Sequence, residues 1–405
     1  MSLEILQATG VSVVLNNNRI IKDATLRLEK GEFVGILGPN GAGKSTFLKA
    51  IRGIVPRVSG EVVLQGKKLE AYTEKEIARE LAFMQQDMHV GFGFTAEEVV
   101  LTSRYPYLAW WENETKDDYR IVEECMRFAG VYDLRDKIVN QLSGGERQRV
   151  LLAKVLAQET PIIFLDEPTA SLDLVYQEEI FRYCRSLTES GKTIVMICHD
   201  LAMAARFCSR LLILAQGEIR AEGKPEDVLT AQNLANTFGL HSVVYRNPIS
   251  GYLDLYTYEQ SVLTTQGQDI SIALVCGDGD ESAELLRRLY CMGVPLEVCP
   301  PRQGSVAAYR ASVFGVASWD ENGTLNKEEK KKLFTLFGYG IEDKAQWEWF
   351  VQMATQAKEV YCSPETVARF VLTNEDKEQY HTDRWQLVSA RMALQKAYGE
   401  LAICR

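Results

Sequence analysis

Residues Gly38, Pro39, Asn40, Gly41, Ala42, Gly43, Lys44, Ser45 and Thr46 match the phosphate-binding pattern G-x-x-x-x-G-K-[ST] at Gly38, Gly43, Lys44 and Ser45. Glycines let a loop turn its backbone N–H groups onto a polyphosphate. The lysine reaches the terminal phosphates and the serine hydroxyl is placed to hold Mg²⁺. These residues predict binding of a nucleoside triphosphate. A second cluster, Asp166 and Glu167, closes the apolar run Ile162–Leu165. Two adjacent carboxylates there suit a division of labour, with Asp166 a metal ligand and Glu167 a general base that polarises the attacking water. The bland reading of the pair is a helix cap ahead of Pro168. His199 closes another apolar run, Thr193–Cys198, and its place at the end of a buried strand before Asp200 favours a functional over a structural histidine.

The elements that must position these groups follow from the pattern around them. Glu32–Leu37 reads as a short strand entering the phosphate loop and Thr46–Gly53 as a helix leaving it. Runs such as 160–168 and 193–200 read as strands buried on both faces, and ligands sit at the carboxyl ends of such strands. Strands alternating with helical patterns over residues 1–258 predict an α/β domain with a mainly parallel sheet. Leu211–Ile219 reads as strand, turn, strand, and residues 87–141 as a helical, aromatic-rich insert.

Bulk properties bound the rest. A chain of 405 residues exceeds one ordinary core and suggests more than one domain. A net charge of −10 argues against a nucleic-acid partner, since such surfaces concentrate Lys and Arg. Nine cysteines without a C-x-x-C pair read as free or buried thiols in a reducing compartment, and four histidines leave few metal ligands. The first ten residues lack signal-peptide architecture, and no apolar run approaches a membrane span. A role at a membrane would need a partner to supply the spans.

The segment Leu142, Ser143, Gly144, Gly145, Glu146 carries a resemblance to a known family. By itself Ser-Gly-Gly is an ordinary turn with Ser143 as helix N-cap. With the phosphate loop upstream, it resembles the LSGGE or LSGGQ signature of the ATP-binding subunits of ABC transporters. That resemblance implies a P-loop NTPase fold of the ABC ATPase type, an α/β core with a helical subdomain, and ATP hydrolysis with ATP and Mg²⁺ bound. It implies a homodimer in which the signature of one subunit faces the ATP of the other. Gln86 falls at the family's Q-loop position, a catalytic and Mg²⁺-sensing residue, although Gln85 stands where many members have proline. Asp173 matches the D-loop aspartate at the dimer contact and His199 the switch histidine. One element departs. Leu15 occupies the place of the aromatic that stacks on adenine, and Arg19 or an aromatic elsewhere could substitute.

Residues 91–111 resemble the importer ATPases that serve uptake of iron-siderophore complexes, haem and vitamin B12. The resemblance implies transmembrane permease subunits and an extracytoplasmic substrate-binding protein as partners, and a peripheral place on the cytoplasmic face of the cell membrane. Phe94, Tyr105, Tyr107, Trp110 and Trp111 would form the docking surface for the permease. The alternative is a soluble, non-transport ABC ATPase with a regulatory C-terminal domain. A ribosome-acting member would normally carry two ATPase domains, and a chromosome-maintenance ATPase a long coiled coil between P-loop and signature. Neither feature is in the sequence.

After a linker at 259–269, residues 270–405 restart a strand, glycine turn, helix, strand pattern, predicting a smaller Rossmann-like α/β domain. Gly277, Gly279 and Ser282 approximate a G-x-G-x-x-G fingerprint, and Glu297 lies about 20 residues on, where a ribose-binding acid would be expected. Asp278 and Asp280 place negative charge where a pyrophosphate would sit, which opposes that reading. The lysine-rich stretch Asn326–Phe337 reads as a solvated helix face, and Trp347, Trp349 and Trp385 as core.

Overall fold

The computed structural model describes residues 4–85, 93–170, 172–247, 250–257, 272–277, 279–291, 296–298, 305–314, 317–318, 334–355, 357, 359–389, 392–393 and 396. The chain divides into two compact units, Met1–Leu240 with Arg246–Leu255, and His241–Tyr245 with Tyr256–Arg405.

The first unit is built on two sheets. Strands β1 (Glu4–Leu15), β2 (Asn18–Glu29), β4 (Ser59–Leu64) and β5 (Lys67–Lys68) form an antiparallel sheet in the order β2-β1-β4-β5. Its long hairpin turns at Asn16 and Asn17, whose φ of 48° and 64° are those of a left-handed two-residue turn. The second sheet has the order β10-β9-β3-β8-β7-β6, from β3 (Phe33–Leu37), β6 (Leu81–Met84), β7 (Ile162–Asp166), β8 (Thr193–Ile197), β9 (Arg210–Ala215) and β10 (Glu218–Gly223). All of its pairings are parallel except β9 with β10. β3, β7 and β8 are buried at every position, as parallel strands covered on both faces must be.

Seven helices position the chemistry: α1 (Lys44–Arg52), α2 (Glu74–Glu80), α3 (Ala96–Leu101), α4 (Lys116–Phe128), α5 (Gly144–Ala157), α6 (Leu174–Glu189) and α7 (Leu201–Phe207). α1 buries Phe47, Leu48, Ala50 and Ile51 in the core that joins the two sheets. α2, α3, α4 and α5 each begin at a Thr or Ser closed by an acidic residue in a capping box, which satisfies orphan N–H groups at the helix start. Among the described residues no helix is long and apolar enough to cross a membrane.

A hairpin of β11 (Ser242–Arg246) and β12 (Leu253–Thr257) lies where the chain passes from one unit to the other, ahead of the expected linker. The linker 259–269 lies outside the described residues. In the second unit β13 (Ile272–Cys276), β14 (Leu296–Val298), β15 (Ala317–Ser318), β16 (Phe334–Gly338), β17 (Glu359–Cys362) and β18 (Gln386–Leu387) form one sheet in the order β15-β14-β13-β16-β17-β18. Every pairing is parallel, and the order is that of doubly wound dinucleotide-binding sheets.

Two sequence expectations change here. Asn326–Phe337 does not end as a helix, because Phe334–Phe337 enters the central strand β16, pinned between β13 and β17. Residues 326–333 lie outside the described residues. Cys276 is disulfide-bonded, whereas Cys125, Cys184, Cys198, Cys208 and Cys362 are free. Thiols brought together by folding can pair without any motif spacing, so the absence of C-x-x-C did not exclude it.

Candidate active site

Three neighbouring parallel strands end at one place. β8 pairs with β3 on one side and β7 on the other, with Ile197 opposite both Ile36 and Asp166. The phosphate loop after β3, the carboxylates closing β7 and the imidazole after β8 therefore emerge together at the carboxyl edge of the sheet. The loop cannot carry a side chain at its first glycine, since a Cβ on Gly38 would lie 2.0 Å from the Leu214 carbonyl oxygen. Ala42 N–H turns back to the Pro39 carbonyl, and Phe47 N–H to that of Gly43, joining loop to helix.

Lys44 is buried and its ammonium donates to the carbonyls of Gly38 and Pro39 at 2.9 and 3.0 Å. Burial lowers its pKa, while the charges of Glu167 and Asp166 oppose that shift. Ser45 Oγ donates to Asp166 Oδ1 at 2.8 Å. Asp166 is 1% exposed, and its Oδ2 has no hydrogen-bond partner. Burial raises the Asp166 pKa and Glu167 adds to that; the Ser45 hydroxyl, Lys49 and Lys44 pull the other way. An orphaned carboxylate oxygen beside a serine hydroxyl is a hard oxygen pair that fits Mg²⁺, which characteristically takes one or two protein ligands and leaves the rest to phosphates and water.

Glu167 has a left-handed backbone, φ 52°, unusual for a residue with a side chain. Its Oε1 lies 2.6 Å from His199 Nε2. The carboxylate is mostly buried and the imidazole half exposed. Its carbonyl oxygen accepts from Gln148 Nε2 at 3.0 Å, and from Ala170 N at 3.3 Å. The structure thus brings Lys44, Ser45, Asp166, Glu167 and His199 together. Gln86 lies outside the described residues.

The signature residues sit at the start of α5. Ser143 Oγ accepts from Glu146 N at 3.3 Å, and Glu146 Oε2 accepts from Ser143 N at 2.8 Å. The Ser143 N–H, and after it the Ser143 hydroxyl, which donates to the same oxygen at 2.8 Å, hold the Glu146 carboxyl below its ordinary pKa. Leu142 is buried and Gly144 exposed. Asp173 caps α6, accepting from Tyr176 N at 3.1 Å. Gln177, one turn on, donates to the carbonyls of Thr169 and Leu172 and so braces the same loop. Sequence reasoning passed over Gln148 and Gln177, because both act on main-chain carbonyls that no side-chain motif marks.

Leu15 ends β1 opposite Asn18, in the sheet whose strand β2 touches the phosphate loop where Ile20 and Ile21 meet Gly43. Arg19 donates to Ser12 Oγ at 3.3 Å. Of the aromatic set, Phe94, Tyr105, Trp110 and Trp111 are exposed, the two tryptophans at 90% and 68%, and stack edge to face at 5.4 Å. Tyr107 differs. Its hydroxyl donates to the Gln158 carbonyl and its ring carries the Arg104 guanidinium at 4.5 Å, so it holds the insert together.

The profile of the family described as ABC transporter matches residues 21–170. The chain is 36% identical over 300 residues to the cobalamin import ATP-binding protein of Halobacterium salinarum, covering 74% of each. The chain belongs to the ABC transporter ATP-binding family. It is 40% identical over 247 residues to the hemin import ATP-binding protein of Rhodococcus jostii, covering 61% of this chain and 84% of that protein. A solved dimeric ATP-binding cassette, in a post-hydrolysis state with ADP and phosphate, is 30% identical with a TM-score of 0.50, covering 55% of this chain and 99% of that one. The first unit is therefore an ABC ATPase, and ATP is its nucleotide. The relatives reported are named for import, which leaves the non-transport alternative without support.

In the second unit, Gly277 abuts the loop after β16, where a Cβ would lie 2.1 Å from the Tyr339 carbonyl oxygen. Ser282 is buried, and its hydroxyl bridges the carbonyls of Cys276 and Tyr339. The residue standing for a third glycine thus ties the helix Asp280–Cys291 to the end of β13 and to the loop after β16 by hydrogen bonds. Asp280 and Glu281 occupy the first turn of that helix, where a pyrophosphate would otherwise bind. Asp278 and the side chain of Glu297 lie outside the described residues. Trp347 and Trp385 fill a core with Phe350, Phe370 and Tyr380, and Trp349 packs against it.

Proposed function

We propose that this chain is the ATPase subunit of an importer for a cobalamin, haem or iron-siderophore cargo, working beneath separate transmembrane subunits fed by an extracytoplasmic binding protein. The observation that carries the ATPase chemistry is the convergence of Lys44, Ser45, Asp166, Glu167 and His199 at one sheet edge. The phosphate-loop N–H groups and Lys44 bind the phosphates. Ser45 and Asp166, with Gln86, would hold Mg²⁺, which when bound would neutralise charge at the terminal phosphates. Glu167 takes the proton of the attacking water, and His199 fixes the orientation of its carboxylate. Ser143, Gly144 and Gly145 face the nucleotide of a second copy, so two chains enclose two ATP molecules, and Asp173 lies at that contact. The dimeric state of the solved cassette supports this arrangement.

Closure on ATP and reopening after hydrolysis drive the transport step, and the exposed Phe94, Tyr105, Trp110 and Trp111 take that motion to the permease. The import names of the relatives and the sequence around residues 91–111 support the cargo class. On this reading the subunit works on the cytoplasmic face of the membrane, as a peripheral protein. The test is reconstitution of the chain with its permease and binding protein in proteoliposomes. ATP-dependent accumulation of cobalamin, haem or a ferric siderophore is expected and should vanish with Lys44→Ala. Sustained ATP turnover with uptake of none of these would overturn the cargo assignment.

A further inference from the structure

Glu167 is held in place through its backbone as well as through its side chain. A non-glycine residue in the left-handed region is strained and persists only where its surroundings over-determine it. Here the φ of 52° persists beside a carbonyl that accepts from both Gln148 and Ala170. Gln148 is only 8% exposed, on a helix face it shares with buried Leu151 and Leu152. A buried amide in such company is unfavourable without a partner, and the Glu167 carbonyl is that partner at 3.0 Å.

We infer that Gln148 is a positioning residue that ties the signature helix α5 to the orientation of the Glu167 carboxylate in the same chain. The inference rests on Glu167 acting as the general base. α5 begins at Ser143, Gly144 and Gly145, which in the proposed dimer meet the nucleotide of the second copy. Any shift of α5 on meeting that nucleotide reaches the Glu167 peptide through one hydrogen bond. The two ATP sites of the sandwich are thereby linked inside each chain: occupancy sensed at one signature sets the base of the other site.

The test is steady-state ATP hydrolysis by the full chain carrying Gln148→Met, which keeps the length and removes the donor. The expected result is a kcat lower by about tenfold, about 1.4 kcal/mol of barrier, with the KM for ATP and the thermal midpoint unchanged. Gln148→Glu, which turns an acceptor toward the carbonyl, should lose more and serves if the methionine variant folds poorly. Added to Glu167→Gln, either change should leave the residual rate where it was. A wild-type kcat in both variants overturns the inference while an inactive Glu167→Gln preserves the base assignment. A parallel fall in ATP affinity and stability marks a packing role and overturns it as well. Normal turnover by Glu167→Gln removes the base assignment, and the inference with it.

Discussion

Burial opposes a charge on Asp166. Its neighbour Glu167 has the His199 imidazole at 2.6 Å, whereas one oxygen of Asp166 is left bare in the interior. A carboxyl whose folded pKa is raised contributes stability only below its unfolded pKa, and that contribution is lost as pH rises through the folded value. Burial raises the Asp166 pKa, so ionisation of this carboxyl destabilises the nucleotide-free chain as pH rises through that value. Asp166→Asn should raise the thermal midpoint at pH 7 while abolishing the further rise that ATP with Mg²⁺ produces in the wild type. Scanning fluorimetry with and without ligand checks both, and an unchanged ligand response would remove Asp166 from the metal site. For the wild type, that ligand response should weaken as pH falls toward the raised pKa. The residue types of this site were legible in the sequence, because phosphate and metal chemistry restricts them narrowly. The hydrogen bond from Gln148 to the Glu167 carbonyl was not, since its donor sits on a distant helix and its acceptor is main chain.

At the scale of elements, the insert between the two nucleotide motifs depends on one buried cation. Arg104, in the 3-10 turn Thr102–Tyr107, donates to Asp118 at 2.8 Å, to the Ala157 carbonyl at 2.8 Å and to Glu159 at 3.0 Å. It therefore joins α4 to the end of α5, behind the exposed aromatics. Removing one member of a buried pair strands the other charge, so Arg104→Leu should destabilise the chain by about 3–5 kcal/mol. Arg104→Leu with Asp118→Asn, which removes the stranded charge but keeps an oxygen to accept from Thr115 N at the start of α4, should lose less, as chemical denaturation would show. Equal losses would mean that packing, not the pair, carries the joint. A helical insert was expected from the pattern over residues 87–141, yet the sequence could not assign Arg104 or Tyr107 inward. Their partners are scattered over three segments, and an arginine or a tyrosine beside a proline reads as surface. The first sheet shows the converse. Its hairpin is a local feature, since Asn16 and Asn17 between β-branched runs are an ordinary turn signal.

Across the whole molecule, the second unit has its own sheet, cores and electrostatics. Glu284 accepts from Arg287 and Arg288 on its own helix and from Arg310 on the helix Val306–Phe314. The Arg287 hydrogen bonds, first among these causes, bring its pKa from 4.5 to about 2. A depressed carboxylate stabilises above its unfolded pKa and loses that contribution as pH falls through the folded one, so the window is pH 4.5 down to about 2. Glu284→Gln should flatten the acid dependence of second-unit unfolding in that window, read by tryptophan emission from the core around Trp347 and Trp385. The effect should be modest, because Glu284 is partly solvated. A slope equal to wild type would show that the network contributes nothing. By itself the sequence determined the chemistry of the first unit: the phosphate loop, the paired carboxylates, the signature and the histidine are local patterns, each dictated by what a triphosphate requires. Only the tertiary structure decided how they meet. The adjacency of β3, β8 and β7 sets the 2.6 Å contact of His199 with Glu167. The parallel order β15-β14-β13-β16-β17-β18 is likewise a non-local result, fixed by which strand ends can pair once the helices cover both faces.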